Sequence, residues 1–199
     1  MGKYIDTQVN ITSSNIDDMD DDIIKRAHHI RQISAFGFFE EYIHKEYPIL
    51  DVGCRDGGFM EIFRDKGCIE VIGIDCSEKA IEIAQNRGLS CIVGDIHDNL
   101  EFDDEFFGTI LMSHILEHCY DVEKVLNEIF RILMDDGIVL VEIPIEKKPD
   151  IIPTKWGHYS FFEKPVDLNK IFQYNGRFEL VASIVDKIKN KWYRGVFKK

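Results

Sequence analysis

The sequence is short of positive charge: 24 Lys and Arg stand against 36 Asp and Glu, a formal net charge of −12 over 199 residues. That balance disfavours broad electrostatic capture of nucleic acid or of an anionic membrane, and a small or neutral partner suits it better. No apolar run approaches the roughly 18 residues that cross a bilayer, and the opening MGKYIDTQVN lacks the apolar stretch of a secretory signal. The expectation is a cytoplasmic protein with no membrane or nucleic-acid partner; nothing in the sequence fixes its oligomeric state. Cysteine is scarce: Cys54, Cys68, Cys76, Cys91 and Cys119 are odd in number and form no CxxC pair. Neither a disulfide framework nor a thiolate zinc knuckle is expected, only reduced and mostly buried thiols. Internal repeats and low-complexity tracts are missing, and 45% hydrophobic with 30% charged residues excludes disordered and collagen-like classes.

Residues 12 to 22, TSSNIDDMDDD, hold five aspartates and read as a solvated leader or a helix N-terminus. Ile23, Ala27, Ile30 and Ile33 recur at helical spacing, and Phe36, Phe39, Tyr42 and Ile43 carry an apolar face past Gly37, which predicts two helical segments. The period then changes. PILDVG (48–53), VIGID (71–75), SCIVGD (90–95), TILMS (109–113) and GIVLVEIP (137–144) are short Ile/Val-rich runs expected as buried parallel strands. Helical stretches at 58–66, 78–86 and 122–134 separate them, followed by Gly67, Gly88 and Gly137 as stop signals.

Alternating strands and helices predict a doubly wound, Rossmann-like α/β sheet with right-handed crossovers. A further helix is expected at 166–174. The last two apolar runs, 178–185 and 191–197, are joined only by DKIKN, too short for a parallel crossover, so the seventh strand must be antiparallel. The basic end (Lys187, Lys189, Lys191, Arg194, Lys198, Lys199) reads as a solvated strand edge. The chain divides into leader and lid helices, 1–45, and the α/β domain, 46–199.

The chemistry gathers at strand ends. Asp51-Val52-Gly53-Cys54-Arg55-Asp56-Gly57-Gly58 follows the first strand and opens a helix, where glycines let backbone N–H groups approach a ligand. Asp75 ends the second strand, 22 residues after Gly53, the interval of a ribose-binding acid, and Gly94-Asp95 ends the third. Any one aspartate could be a helix cap; three at successive strand ends point to one ligand crevice.

Together with LMSHILEHCYD, LMDDGIVLVEIP and GHYSFFEKPVDL, these motifs make residues 45 to 185 resemble the class I S-adenosylmethionine-dependent methyltransferases, type 11 and type 23 small-molecule branch. The resemblance implies the strand order 3-2-1-4-5-7-6 and S-adenosylmethionine as cofactor. It implies that Asp51 and Gly53 line its methionine end, with Arg55, Gly57 and Cys76 alongside. Asp75 would hold the ribose hydroxyls, and Asp95 and Ile96 the adenine. Ser113 and His114 would border the sulfonium and the acceptor. One departure stands out: the family's middle glycine is Arg55 here, which costs strain where φ is positive, unless the loop takes another path or turns the guanidinium outward.

His114 and His158 are the candidate general bases, which favours O-methylation, because a hydroxyl must lose its proton as it attacks. Trp156, Tyr159 and His118 are candidates for acceptor binding, with the aromatics Phe36, Phe38 and Phe39 as possible chamber walls. Phe161 and Phe162 are better read as docking the following helix. Three rivals remain. Arg55 motivates a degenerate cofactor-binding domain without turnover. Gly53, Gly58 and Asp75 partly imitate an NAD-dependent oxidoreductase. His114-Ile115-Leu116-Glu117-His118 matches the H-x-x-E-H zinc-hydrolase signature, with Glu179 as third ligand. No metal ligand is assigned in the preferred reading.

Overall fold

The computed structural model describes residues 22–150, 152–154, 157–173, 176–185 and 192–199, with side chains from residue 26. Its elements are α1 (Asp22–Phe39), β1 (Ile49–Val52), α2 (Gly58–Asp65), β2 (Val71–Asp75), α3 (Glu78–Asn86), β3 (Ser90–Val93), β4 (Phe107–Ser113), α4 (Val122–Ile132), β5 (Leu133–Pro144), α5 (Pro165–Gln173), β6 (Glu179–Val185) and β7 (Trp192–Lys198). Two short 3-10 turns lie at Glu40–Tyr42 and Leu116–His118. The strands form one seven-stranded sheet in the order β3-β2-β1-β4-β5-β7-β6. β1 to β5 pair in parallel, while β7 runs antiparallel to both β5 and β6.

The central strands are buried on both faces: β1 is enclosed along its whole length and β4 at all but its last residue. That burial explains why they are apolar apart from Asp51 in β1 and Thr109 and Ser113 in β4. One face carries Val125, Ile129 and Ile132 of α4 against Leu50, Ile110 and Val139. The other packs Ala35, Phe36 and Phe39 of α1 with Phe63, Ile49, Leu111 and Val196. Phe36 therefore belongs to the core, edge-on to Phe63 at 5.7 Å, and so does Phe39; neither walls a chamber. Phe162 packs with Leu168 and Phe172, docking α5 as expected.

The N-terminal helix differs from its sequence pattern. It is one helix running through Gly37, which faces open space, and then a 3-10 turn, rather than two segments. Its inward face is Gln32, Ala35, Phe36 and Phe39, whereas Ile30 is 67% and Ile33 52% exposed. Burying Phe36 and Phe39 fixes the rotation of the helix and turns the isoleucines outward.

The end of α4 also differs. The helix stops at Ile132, and Met134 to Gly137 already belong to β5, where Asp136 takes φ 62° in a register shift opposite Phe107 and Thr109. The Asp-Asp-Gly sequence marks a bulge inside the strand, not a connecting turn. β6 forms the edge of the sheet and β7 lies inside it, so the basic end is not a free edge. Arg194 pairs with Glu142, Lys198 with Asp136, and Lys199 with Glu105 and Asp135. The acidic leader up to Asp21 and Lys187, Lys189 and Lys191 lie outside the described residues.

Candidate active site

The loop after β1 is fastened to β2. Gly53 and Cys54 donate their N–H groups to Ile74 O at 2.7 and 3.1 Å, and Arg55 N–H donates to Asp75 Oδ2 at 3.0 Å. Gly53 (φ 71°) and Gly57 (φ 88°) occupy left-handed backbone, and Arg55 does too, at φ 50°. The loop thus follows the path of its glycine-bearing pattern and carries the strain of a side chain at the middle position. Gly53 also admits no side chain: a Cβ would lie 1.9 Å from Ile115 Cδ1. Gly57 caps α2 and does not line the cavity below; a Cβ there would strike Leu89.

Asp75 accepts from Arg55 N–H and, through Oδ1, from Ser77 N–H at 2.9 Å. Cys76 N–H bonds the same carboxylate, and three donors on its four lone pairs leave acceptor capacity for a ligand. Asp51 is 3% exposed, and burial, reinforced by Asp75 and Asp56, pushes its carboxyl well above the usual range. At the end of β3, Asp95 Oδ1 accepts from the backbone N–H and ring Nδ1 of His97, at 2.9 and 3.0 Å. Burial alone would raise Asp95, but the His97 contacts hold it below its ordinary value. Its Oδ2 is buried without a partner among the described residues.

Beyond β4 the backbone of His114 turns into the left-handed region (φ 58°), fixed by its N–H donating to Glu142 O at 2.8 Å. The ring sits between two carboxylates. Nδ1–H donates to Glu117 Oε1 at 3.0 Å, and Nε2 lies 3.6 Å from Glu142 Oε2. Burial opposes protonation of this ring, yet the carboxylates prevail and raise its pKa. Glu142 is wholly buried. Ser113 Oγ–H donates to it at 3.1 Å, Arg194 Nε at 2.9 Å, and Arg31 pairs with it from α1. Burial would raise its pKa, but His114, Arg31 and Arg194 bring it down to about 2.

These strand ends open on one cavity of about 350 Å³. Asp51, Gly53, Arg55, Asp75, Cys76, Asp95, Ile96, Ser113, His114 and His118 all line it, as the sequence leads one to expect. His158 does not; it lies behind His118, the two rings 4.9 Å apart at 86°. Tyr159 is also absent from the lining, its N–H tied to Glu117 O at 2.8 Å. Loop 157–160 folds onto the 116–118 turn instead of over the cavity, which removes both from contact with a ligand there. Trp156 lies outside the described residues.

Sequence reasoning missed His28, Arg31 and Gln32 of α1 and Trp192 of β7, all of which line the cavity. Reading helical phase backwards from Phe36 and Phe39 would have found the first three, which share their face.

Residues 50–141 match the methyltransferase domain family, type 11. The domain belongs to the class I S-adenosylmethionine-dependent methyltransferases. The ribosomal protein L11 methyltransferase of Thermotoga petrophila is 26% identical over 67% of this chain and 50% of its own length. The ajmaline N-methyltransferase of Rauvolfia serpentina is 32% identical over 49% of this chain and 36% of its own. In solved structures, an S-adenosylmethionine-dependent methyltransferase from Methanosarcina mazei superposes with a TM-score of 0.66, at 18% identity, over 81% of this chain and 96% of that one. The chain spans about half the length of the L11 relative.

The residues present fit the cofactor of this methyltransferase domain. Asp75 offers acceptor capacity for ribose hydroxyls, and the unpartnered Asp95 Oδ2 is an acceptor waiting for a donor such as an adenine amino group. Gly53 lines the cavity, and the place a Cβ would take there is filled by Ile115. The zinc-hydrolase rival does not fit. His114 follows a strand and His118 ends a three-residue 3-10 turn, so the two do not share a helical face. Glu179 is exposed on edge strand β6.

Proposed function

We propose that this domain methylates an oxygen of a small-molecule acceptor, with His114 taking the proton that leaves the attacking hydroxyl. The observation that carries the reading is the His114 ring itself, lining the cavity beside Ser113 and oriented by Glu117 through Nδ1. When bound, S-adenosylmethionine supplies an electrophilic methyl group for in-line displacement. The protein's part is to hold the acceptor oxygen in line and to receive its proton. Arg31 and Arg55 line the cavity together with Asp51, Asp56, Asp75 and Asp95, a mixed lining in a chain of net charge −12 that suits a small polar molecule better than a polyanion such as a nucleic acid. The relatives named above are a ribosomal protein L11 methyltransferase and an ajmaline N-methyltransferase, so the acceptor class rests on this chain's own cavity.

In this reading residues 1–45 hold the leader, which lies outside the described residues, and the lid helix, and 46–199 are the cofactor-binding unit. The described part of the lid, α1, places His28, Arg31 and Gln32 over the cavity. The degenerate-domain alternative drew on Arg55, and the fastening of its N–H to Asp75 weighs against it.

The test measures S-adenosylhomocysteine formation across matched hydroxyl and amine acceptors. His114→Ala should keep cofactor binding and lose turnover on hydroxyls by about 100-fold or more. Asp75→Ala should lose cofactor binding. Undiminished turnover in His114→Ala, or activity confined to amines, overturns the reading.

A further inference from the structure

Loop 157–160 is fastened to the turn after β4 by more bonds than a passing loop requires. Tyr159 and Ser160 both donate N–H groups to Glu117 O, at 2.8 and 3.1 Å, and Ser160 Oγ–H donates to Cys119 O at 2.7 Å. The fastening brings His158 against His118, forty residues away in sequence. One donor atom from each of Glu117, His118 and His158 then lies within 4.8 Å of the others.

Three features mark this cluster as a ligand set. Glu117 is 2% exposed, and while its Oε1 accepts from His114, its Oε2 is buried with no partner among the described residues. A buried carboxylate oxygen left without a partner is costly, and a cation would satisfy it. His158 donates Nδ1–H to Glu146 Oε2 at 2.7 Å, and His118 donates Nδ1–H to Gly157 O at 3.3 Å. Metal-binding imidazoles are held in this way, one nitrogen anchored to a carboxylate or backbone carbonyl and the other presented to the ion.

We propose that Glu117, His118 and His158 bind a divalent first-row transition-metal ion, zinc by preference, at the wall of the cavity. Two imidazoles and one carboxylate are the donor set of open zinc sites, with a fourth position left for water or a ligand. Tetrahedral donors at about 2.1 Å from zinc lie roughly 3.4 Å apart, so each group need move inward by less than about 1 Å. Since His118 lines the cavity and His158 belongs to the loop behind it, the ion would lock that loop to the acceptor end of the site. This triad differs from the H-x-x-E-H reading of the sequence: His114 is excluded from it, and His158 is the ligand that only the fold supplies.

The test uses the full chain stripped with a chelator and titrated with Co²⁺, then with Zn²⁺ in competition. The expected result is one Co²⁺ per chain with the intense visible bands of four-coordinate cobalt, erased by Zn²⁺. His158→Ala should abolish the bands, and Glu146→Gln should weaken binding by about 10- to 100-fold. His29→Ala, an exposed histidine on α1, should change nothing. Thermal stabilisation by S-adenosylhomocysteine, retained in each variant, reports folding independently of the metal. No four-coordinate spectrum in the parent protein overturns the proposal, as do bands that survive His158→Ala or vanish in His29→Ala.

Discussion

Arg31 of the N-terminal helix, which lines the cavity, and Glu142 of β5, 111 residues away in sequence, form an ion pair. Glu142 has no solvent exposure, and it is held ionised by this pair together with His114 and Arg194. The pair couples the helix over the cavity to the strand beneath it.

A pH dependence of stability follows. The folded-state pKa of Glu142 is depressed from 4.5 to about 2, so its contribution of about 3 kcal/mol is present above the ordinary value and lost as pH falls toward 2. Arg31→Ala removes one of the charges that depress it. The acid-unfolding midpoint should move to higher pH, and urea titration at pH 7 should show a loss of about 1–3 kcal/mol, moderated because Arg194 remains. An unchanged acid limb would disprove the coupling.

Asp51 behaves in the opposite sense. Its folded pKa is raised, so between the ordinary value and the raised one the folded state binds more protons than the unfolded chain. Stability should therefore fall as pH rises through that window. Asp51→Asn should flatten this limb and make the ligand-free protein more stable at pH 7, while weakening binding of the cationic cofactor. Calorimetry of S-adenosylmethionine binding in buffers of different ionisation enthalpy should show proton release in the parent protein and none in the variant.

The left-handed residue at position 55 gives a third test. Arg55→Gly relieves a conformation costing about 1–2 kcal/mol but loosens the unfolded chain, leaving net stability within about 1 kcal/mol of the parent. Arg55→Val puts a β-branched side chain at φ 50° and should destabilise by about 1–2 kcal/mol. Arg55→Gly should retain S-adenosylhomocysteine binding in a thermal-shift assay, because the bond to Asp75 comes from the backbone.

Gly53→Ala meets two obstacles, the Ile115 side chain and a positive φ. It should cost about 2 kcal/mol or more and abolish the thermal shift with S-adenosylhomocysteine, which is roughly 2.7 kcal/mol for the parent at 100 times the dissociation constant. Adding Ile115→Ala should restore some stability without restoring binding fully. Complete rescue would mean that φ does not matter there.

The strand ends were legible in the sequence because the strands are rich in apolar residues, which double burial demands of β1 and β4, and the cavity-lining Asp51, Asp75, Asp95 and Ser113 interrupt those runs. β3, expected as buried, is instead an edge strand, with Ile92 and Val93 exposed. The antiparallel hairpin was legible from the shortness of its connection alone. The helix over the cavity was not. Its inward face is polar at His28, Arg31 and Gln32 because it faces a cavity rather than a core, so counting apolar residues selected Ile30 and Ile33, which point to solvent. His158 was misplaced for a related reason: a loop's sequence carries no sign of which neighbour it will hydrogen-bond, and the bonds to Glu117 decide the matter. The bulge at Asp136 imitated a turn because the same residues tolerate left-handed backbone in either setting.

The seating of β7 between β5 and β6 has a consequence for the order in which a nascent chain can become competent. Trp192 borders the cavity and Arg194 neutralises Glu142, yet both lie on the strand of this sheet that leaves the ribosome last. Until then β5 and β6 have a gap between them, Glu142 lacks one of its cations, and the cavity lacks a wall. This wall of the cavity and the full charge balance around Glu142 are thus completed only once β7 has emerged.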